Sequence, residues 1–193
     1  MEITTEQIKA LRDETGVSVM QCKKALEEAG GDVEKARVIL RKKSGEIAAK
    51  KGDRTLGSGA VAAYVHATGT VGAMVVLSSE TDFVSKNEEF RKLAYDIAMH
   101  VAAANPKFLT FEEIGSEERA KAREVFAEEA KDKPAEMQEK IIEGKLASYF
   151  REQALLEQPF IKDPERTIRD LLSQAVQKFG ERIEITRFSR FSL

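Results

Sequence analysis

A chain of 193 residues has room for one sizeable core and a small accessory domain, but not for two large domains. Its 31 basic and 33 acidic side chains leave a net charge of −2, so the total supplies no general field for binding a polyanion. The lone cysteine, Cys22, excludes an intrachain disulfide framework, and the longest apolar run, Val71 to Leu77, is too short to span a bilayer.

The first residues, MEITTEQIKALRDETG, form a charged amphipathic segment without the basic start and apolar stretch of a secretory signal. A cytoplasmic, non-membrane protein is expected. Thr4 and Gln7 are spaced as a capping box, and Ile8 and Leu11 share the face of the helix that follows. Ser18 and Gln21 repeat the device before the stripe Cys22, Ala25, Leu26 and Ala29. Gly30-Gly31 ends this second helix, and Asp32 caps a third that carries Val33, Ala36 and Leu40. Three short helices over about 40 residues make a unit whose core is marginal alone.

Arg41 to Arg54 reads RKKSGEIAAKKGDR, a basic stretch expected as a solvated helix tail and linker. It has no interleaved aromatic for base stacking, which argues against direct nucleic-acid binding. The expected division is therefore a domain over 1–52, linker included, and a second over 53–193.

Residues 60–66 and 71–79 read as two strands of a hairpin around Ala67-Thr68-Gly69-Thr70. Met74 and Val76 are apolar on the face opposite Val71, Ala73, Val75 and Leu77, so both sides of this sheet are expected to be covered. The stretch Thr81-Asp82-Phe83-Val84 then places an acid and a large aromatic together where strand gives way to helix. Two readings of Phe83 stay open: an exposed contact tip, or a core aromatic anchoring the turn. Asp82 is likewise a contact acid or a turn acid.

Ser85 and Glu88 are spaced to cap a helix with Phe90, Leu93, Ala94, Ile97 and Val101 on its buried face, closed by Pro106. Further helices are expected over 117–131 and 134–156, the second entered through Pro134. For the last helix, Asp163 is the expected cap and Pro164 the first residue, with Gly180 the stop. Arg182 to Phe188 alternates as a strand joining the hairpin, with Ile183 and Ile185 buried. The fold class is thus α+β, with helices packed on a small antiparallel sheet.

Catalytic signatures are weak. Gly57-Ser58-Gly59-Ala60-Val61-Ala62 loosely fits a dinucleotide pattern, but it leads into a hairpin strand where such a loop should open a helix. Neither His66 nor His100 stands at metal-ligand spacing, and Cys22 on an apolar helix face reads as a small buried residue. No catalytic residue, metal site or cofactor is expected. A peptide-binding adaptor and a small nucleotide-using enzyme remain alternatives on this reading.

Four separated segments carry a resemblance: LRDETG with MQCKKAL, SSETDFVSKNEEF, IAMHVAAANPKF, and EQPFIKDPERTIRDLL. In order and spacing they resemble the elongation factor Ts family, guanine-nucleotide exchange factors for elongation factor Tu. The resemblance implies a ubiquitin-associated-like three-helix domain before the α+β core, no enzymatic turnover, and elongation factor Tu as partner. It implies that Thr81, Asp82, Phe83 and Val84 reach the partner's nucleotide site and displace Mg²⁺. Val19, Met20 and Lys23 fall at positions resembling the family's contact loop and helix start, and His66 at a core contact. The chain has room for only one of the two core halves of long members, as in the short form, which is a homodimer.

Overall fold

The computed structural model describes residues 3–193. Three helices come first: α1 (Thr5–Thr15), α2 (Val19–Glu28) and α3 (Val33–Lys50). Thr4 and Gln7 form the full capping box, whereas Ser18 accepts from the Gln21 amide without the reciprocal bond. Leu11, Val17, Cys22, Ala25, Leu26, Ala36 and Leu40 make the small core of this unit. Burial also raises the Cys22 thiol pKa, as befits a structural side chain.

Helix α3 runs through most of the basic stretch expected as a solvated helix tail and linker, and one face of that tail is buried. It continues to Lys50 because Leu40, Ser44, Ile47 and Ala48 extend one helical stripe through the basic stretch. Ser44 is buried and donates to the Leu40 carbonyl at 2.9 Å, and Ile47 and Ala48 pack against the main core. The charges occupy the remaining faces of the helix, so the tail is amphipathic and not solvated all round.

The main core is built on a three-stranded antiparallel sheet of order β1-β2-β5, with β1 (Ser58–Val65), β2 (Val71–Ser79) and β5 (Ile183–Ser192). Between β2 and β5 run a single turn α4 (Asp82–Ser85), the long α5 (Glu88–Ala104), and the helical pair α6 (Ser116–Ala130) and α7 (Ala135–Arg151). A two-stranded ribbon of β3 (Pro159–Phe160) and β4 (Asp163–Thr167) precedes α8 (Ile168–Phe179). Helices α5 and α8 cover the inner sheet face, where Val75, Leu77, Phe90, Ile97, Ile168, Ile183 and Ile185 interlock. The pair α6 and α7 encloses its own cluster around Ile142, Leu146 and Phe150.

Two expected caps are corrected. Helix α5 is capped by Asn87, whose Oδ1 accepts from the Glu89 amide at 2.8 Å; Ser85 instead belongs to α4 and bonds Ser58. Helix α8 starts four residues after Asp163-Pro164, which lie in β4. Thr167 and Asp170 supply a reciprocal box that satisfies two backbone donors, and Asp163 accepts from Arg166 and the Glu165 amide. Pro134 sits at the cap of α7 and not within its first turn.

The outer face of the sheet is open along this chain. Val61 and Val65 on β1, Met74 on β2 and Phe191 on β5 are exposed there, with Ala63 and Val76 between them. Among the described residues no helix is long and apolar enough to cross a membrane.

Candidate partner-binding site

The Thr81–Val84 stretch is divided by its surroundings. Val84 is only 3% exposed, whereas Phe83 is 84% exposed, so adjacent residues serve as anchor and tip. A single helical turn cannot hold itself in water, and α4 is fixed from both ends. Beneath it, the Ser58 and Ser85 hydroxyls lie 2.8 Å apart, tying α4 to the start of β1. In front, Thr81 is held by Glu181, its amide donating at 3.0 Å and its hydroxyl at 2.5 Å.

Asp82 is exposed and accepts from Lys86 Nζ at 2.6 Å, a pairing one turn apart that holds its carboxyl below the ordinary value. Such an exposed pair contributes little to stability. An exposed lysine on one oxygen leaves the carboxylate ionised and its other oxygen free of that pairing. Phe83 and Asp82 thus project side by side from a fixed turn.

The glycines that mimicked a dinucleotide loop have a packing role. A Cβ on Gly59 would stand 2.6 Å from the Leu77 carbonyl oxygen, and one on Gly57 would stand 3.1 Å from that of Glu80. Both let β1 press against the end of β2, where the tip leaves the sheet.

The three-helix unit meets the same corner. Val19 and Met20, at the first turn of α2, are 52% and 68% exposed, and Lys23 is exposed in a weak pair with Glu27. Gln21 beside them accepts from Gln177 of α8, and Gly16 lies against the Lys178 side chain. Lys178 pairs with Glu89 at the start of α5, and Lys51, at the C-terminal cap of α3, donates to the Gly180 carbonyl at 2.6 Å. The end of α8 and the turn after it therefore hold α2 and α3 on one side and the start of α5 and Thr81 on the other.

His66 is not part of this corner. It follows β1 at the end remote from Ser58, exposed in the hairpin turn, with Nδ1 3.1 Å from the Tyr64 hydroxyl. His100 is buried, bonded to Gln158 and the Ile161 amide. Among the described residues, no group of three or more His, Cys, Asp or Glu side chains is arranged to hold a metal.

Sequence reading missed the residues that hold the tip. Arg182 reads as the first residue of the last strand and Glu181 carries no role in the sequence, and their contacts with Glu80 and Thr81 span about a hundred positions. Only the pairing of β5 with β2, which places Ile183 beside Ser79, brings them together.

Comparison with known proteins bears on this arrangement. The family profile described as Elongation factor TS matches residues 2–193. The chain is 48% identical to Elongation factor Ts of Thermodesulfovibrio yellowstonii over 194 residues, covering 100% of this chain and 97% of the relative. It is 48% identical to that of Carboxydothermus hydrogenoformans, covering 99% and 89% respectively. Elongation factor Ts of Thermotoga petrophila is 45% identical, with 100% and 97% covered.

Proposed function

The chain belongs to the elongation factor Ts family, and from that premise we propose that it binds elongation factor Tu in its GDP form and promotes GDP release. The observation that carries this reading is Phe83, an aromatic 84% exposed on a turn anchored by buried Val84. Leaving so much apolar surface in water is reasonable where a partner covers it.

In this mechanism Phe83 enters the partner's nucleotide-binding domain as a wedge, with Asp82 against polar groups nearby. The insertion disturbs the partner's Mg²⁺ coordination and phosphate loop, GDP leaves, and GTP enters. Thr81 and Val84 complete the tip, and Val19, Met20 and Lys23 grip the partner from the three-helix unit. His66, at the far end of the hairpin, marks a second and separate contact. No covalent step is involved, so the protein acts as an exchange factor and not as an enzyme, with no cofactor of its own.

Reciprocity follows from linkage: if this protein weakens nucleotide binding, nucleotide weakens binding of this protein by the same factor, so GTP entry drives release. Magnitudes show why one wedge does not suffice. A thousandfold faster release needs about 4 kcal/mol off the barrier, whereas burying one phenylalanine contributes about 1.5–3 kcal/mol. The remainder is assigned to the grip of the three-helix unit and the core sheet on the distorted partner. Residues 1–52 thereby act as the gripping domain and 53–193 as the domain of the tip and of self-association. The working form is a cytoplasmic homodimer joined through the open outer face of the sheet.

Stopped-flow release of fluorescent GDP from elongation factor Tu, with and without this protein, tests the proposal. A concentration-dependent acceleration is expected, and an unchanged release rate at saturating protein would overturn it.

A further inference from the structure

The strand end that carries the tip and the turn that follows α8 exchange hydrogen bonds reciprocally. From the strand side, Glu80 Oε1 accepts from the Arg182 amide at 2.6 Å. From the turn side, Glu181 takes both Thr81 donors, the amide on Oε2 at 3.0 Å and the hydroxyl on Oε1 at 2.5 Å. Each carboxylate thus captures the backbone N–H that follows its opposite number. The Arg182 amide is also the leading cause of the depressed Glu80 pKa, so that acceptor stays ionised.

Thr81 is the cap residue of α4, yet its side chain makes no capping bond. A threonine there ordinarily accepts from an amide of its own first turn. Here its hydroxyl is donated to Glu181. The start of α4 is therefore oriented by a residue a hundred positions away. The turn that supplies it is itself constrained: Gly180 lies at φ 73°, where a side chain would be strained, and its carbonyl accepts from Lys51.

We propose that Glu181 is a positioning residue for the tip: by taking both donors of Thr81 it sets the angle at which Asp82 and Phe83 meet the partner. Thr81 then acts as a mounting residue, since its hydroxyl is committed inward. The inference rests on the exchange reading above and adds a residue to it. Glu181 also links the two contact regions, because the turn it belongs to is held by Lys51 from the end of α3.

The test compares Glu181→Ala, Glu181→Gln, Thr81→Val and the double variant Glu181→Ala/Thr81→Val, with Phe83→Ala in parallel. GDP release from elongation factor Tu is followed across a range of protein concentration, separating the maximal rate from half-saturation. Glu181→Ala removes both hydrogen bonds to Thr81 and is expected to lower the maximal rate at least about tenfold, with half-saturation little changed. Glu181→Gln, with one oxygen left, should fall between Glu181→Ala and the wild type.

The double variant should be no slower than Glu181→Ala, because both changes remove the same latch. Additive losses would mean that Glu181 touches the partner directly and would overturn the positioning role. Hydrogen exchange at the Thr81 amide supplies a readout independent of activity, expected to accelerate in Glu181→Ala. Unaltered amide exchange would show that the latch does not form in solution. A full maximal rate for Glu181→Ala alongside a slow Phe83→Ala would sink the latch alone, whereas a full rate for Phe83→Ala would sink the tip reading and this inference with it.

Discussion

Phe83 and Val84 are neighbours in sequence with opposite environments, one 84% and the other 3% exposed. They allow contact and support to be separated by mutation. Phe83→Ala removes no packed side chain, so stability should stay within about 0.5 kcal/mol of wild type. Its effect should fall on exchange, with maximal GDP release lowered roughly ten- to hundredfold, the rate equivalent of about 1.5–3 kcal/mol of buried aromatic surface. Val84→Ala should lower stability by about 2 kcal/mol, from two lost methyl groups and the cavity left behind. Denaturant melts and GDP release on both variants check the contrast; a large stability loss in Phe83→Ala would return that side chain to the core.

His100 should make stability depend on pH below neutrality. Its Nδ1 accepts from the Ile161 amide at 3.4 Å, so the proton sits on Nε2, which donates to Gln158 Oε1 at 2.9 Å. Asp96, one turn earlier on α5, is paired with Lys162, and Gln158 donates onward to the Glu152 carbonyl. Burial depresses the imidazole pKa below its ordinary 6.5, with the Gln158 bond opposing in part. The unfolded chain therefore binds the proton more readily. Stability from this group is fully present above about pH 6.5 and is lost as pH falls toward the folded-state pKa, at up to about 1.4 kcal/mol per pH unit. His100→Gln removes that titration, and chemical denaturation from pH 7.5 down to about 5 should show a shallower decline in the variant. Equal slopes would remove His100 as the source.

The start of α8 offers a cap prediction that separates two candidate signals. Thr167→Ala breaks a reciprocal box with Asp170 and should cost about 1 kcal/mol. Asp163→Ala touches only the Arg166 and Glu165 contacts of the ribbon and should cost clearly less. Urea melts of the two variants decide the order, and a larger loss at Asp163 would favour a helix start there.

These caps show what could be read locally. Both Asp163-Pro164 and Thr167-x-x-Asp170 are valid helix-start patterns, and the sequence contains no measure of which wins. The ribbon with Pro159–Phe160 decides it by drawing Asp163 into β4. Likewise the buried stripe of α3 is written in Leu40, Ser44, Ile47 and Ala48, but the lysines around it make the helix tail look solvated on every side. The sheet, its hairpin, and the buried Ile183 and Ile185 were legible because alternation and turn glycines are short-range signals. The tip was legible as an odd acid–aromatic pair within a family motif. Its mounting was not, since Thr81 and Glu181 meet only through the pairing of β5 with β2.

The outer sheet face leads to the last prediction. Cross-strand register sets Val61 opposite Val76, Ala63 opposite Met74, and Gly72 between Val65 and Phe191. Val61, Val65, Met74 and Phe191 are each close to half exposed or more, giving an apolar surface that runs over β1 and β2 to Phe191, with Ser189 and Arg187 along its β5 side. Solvated sheet faces ordinarily alternate to polar residues, and an apolar one of this extent marks an interaction surface. A second copy of the same face satisfies it symmetrically, each sheet supplying the cover the other lacks. Met74, on the central strand, is the most sensitive position. Met74→Glu would bury a carboxylate from each copy at the centre of the interface, between Ala63 and Ser189, a desolvation cost that Arg187, diagonal to Met74 and opposite Val76, offsets only in part. Light scattering at micromolar concentration should give twice the chain mass for the wild type and a single mass for Met74→Glu. Far-ultraviolet circular dichroism should be unchanged, because the side chain points away from the core. A monomeric wild type would overturn the dimer, and a dimeric variant would move the interface to another face.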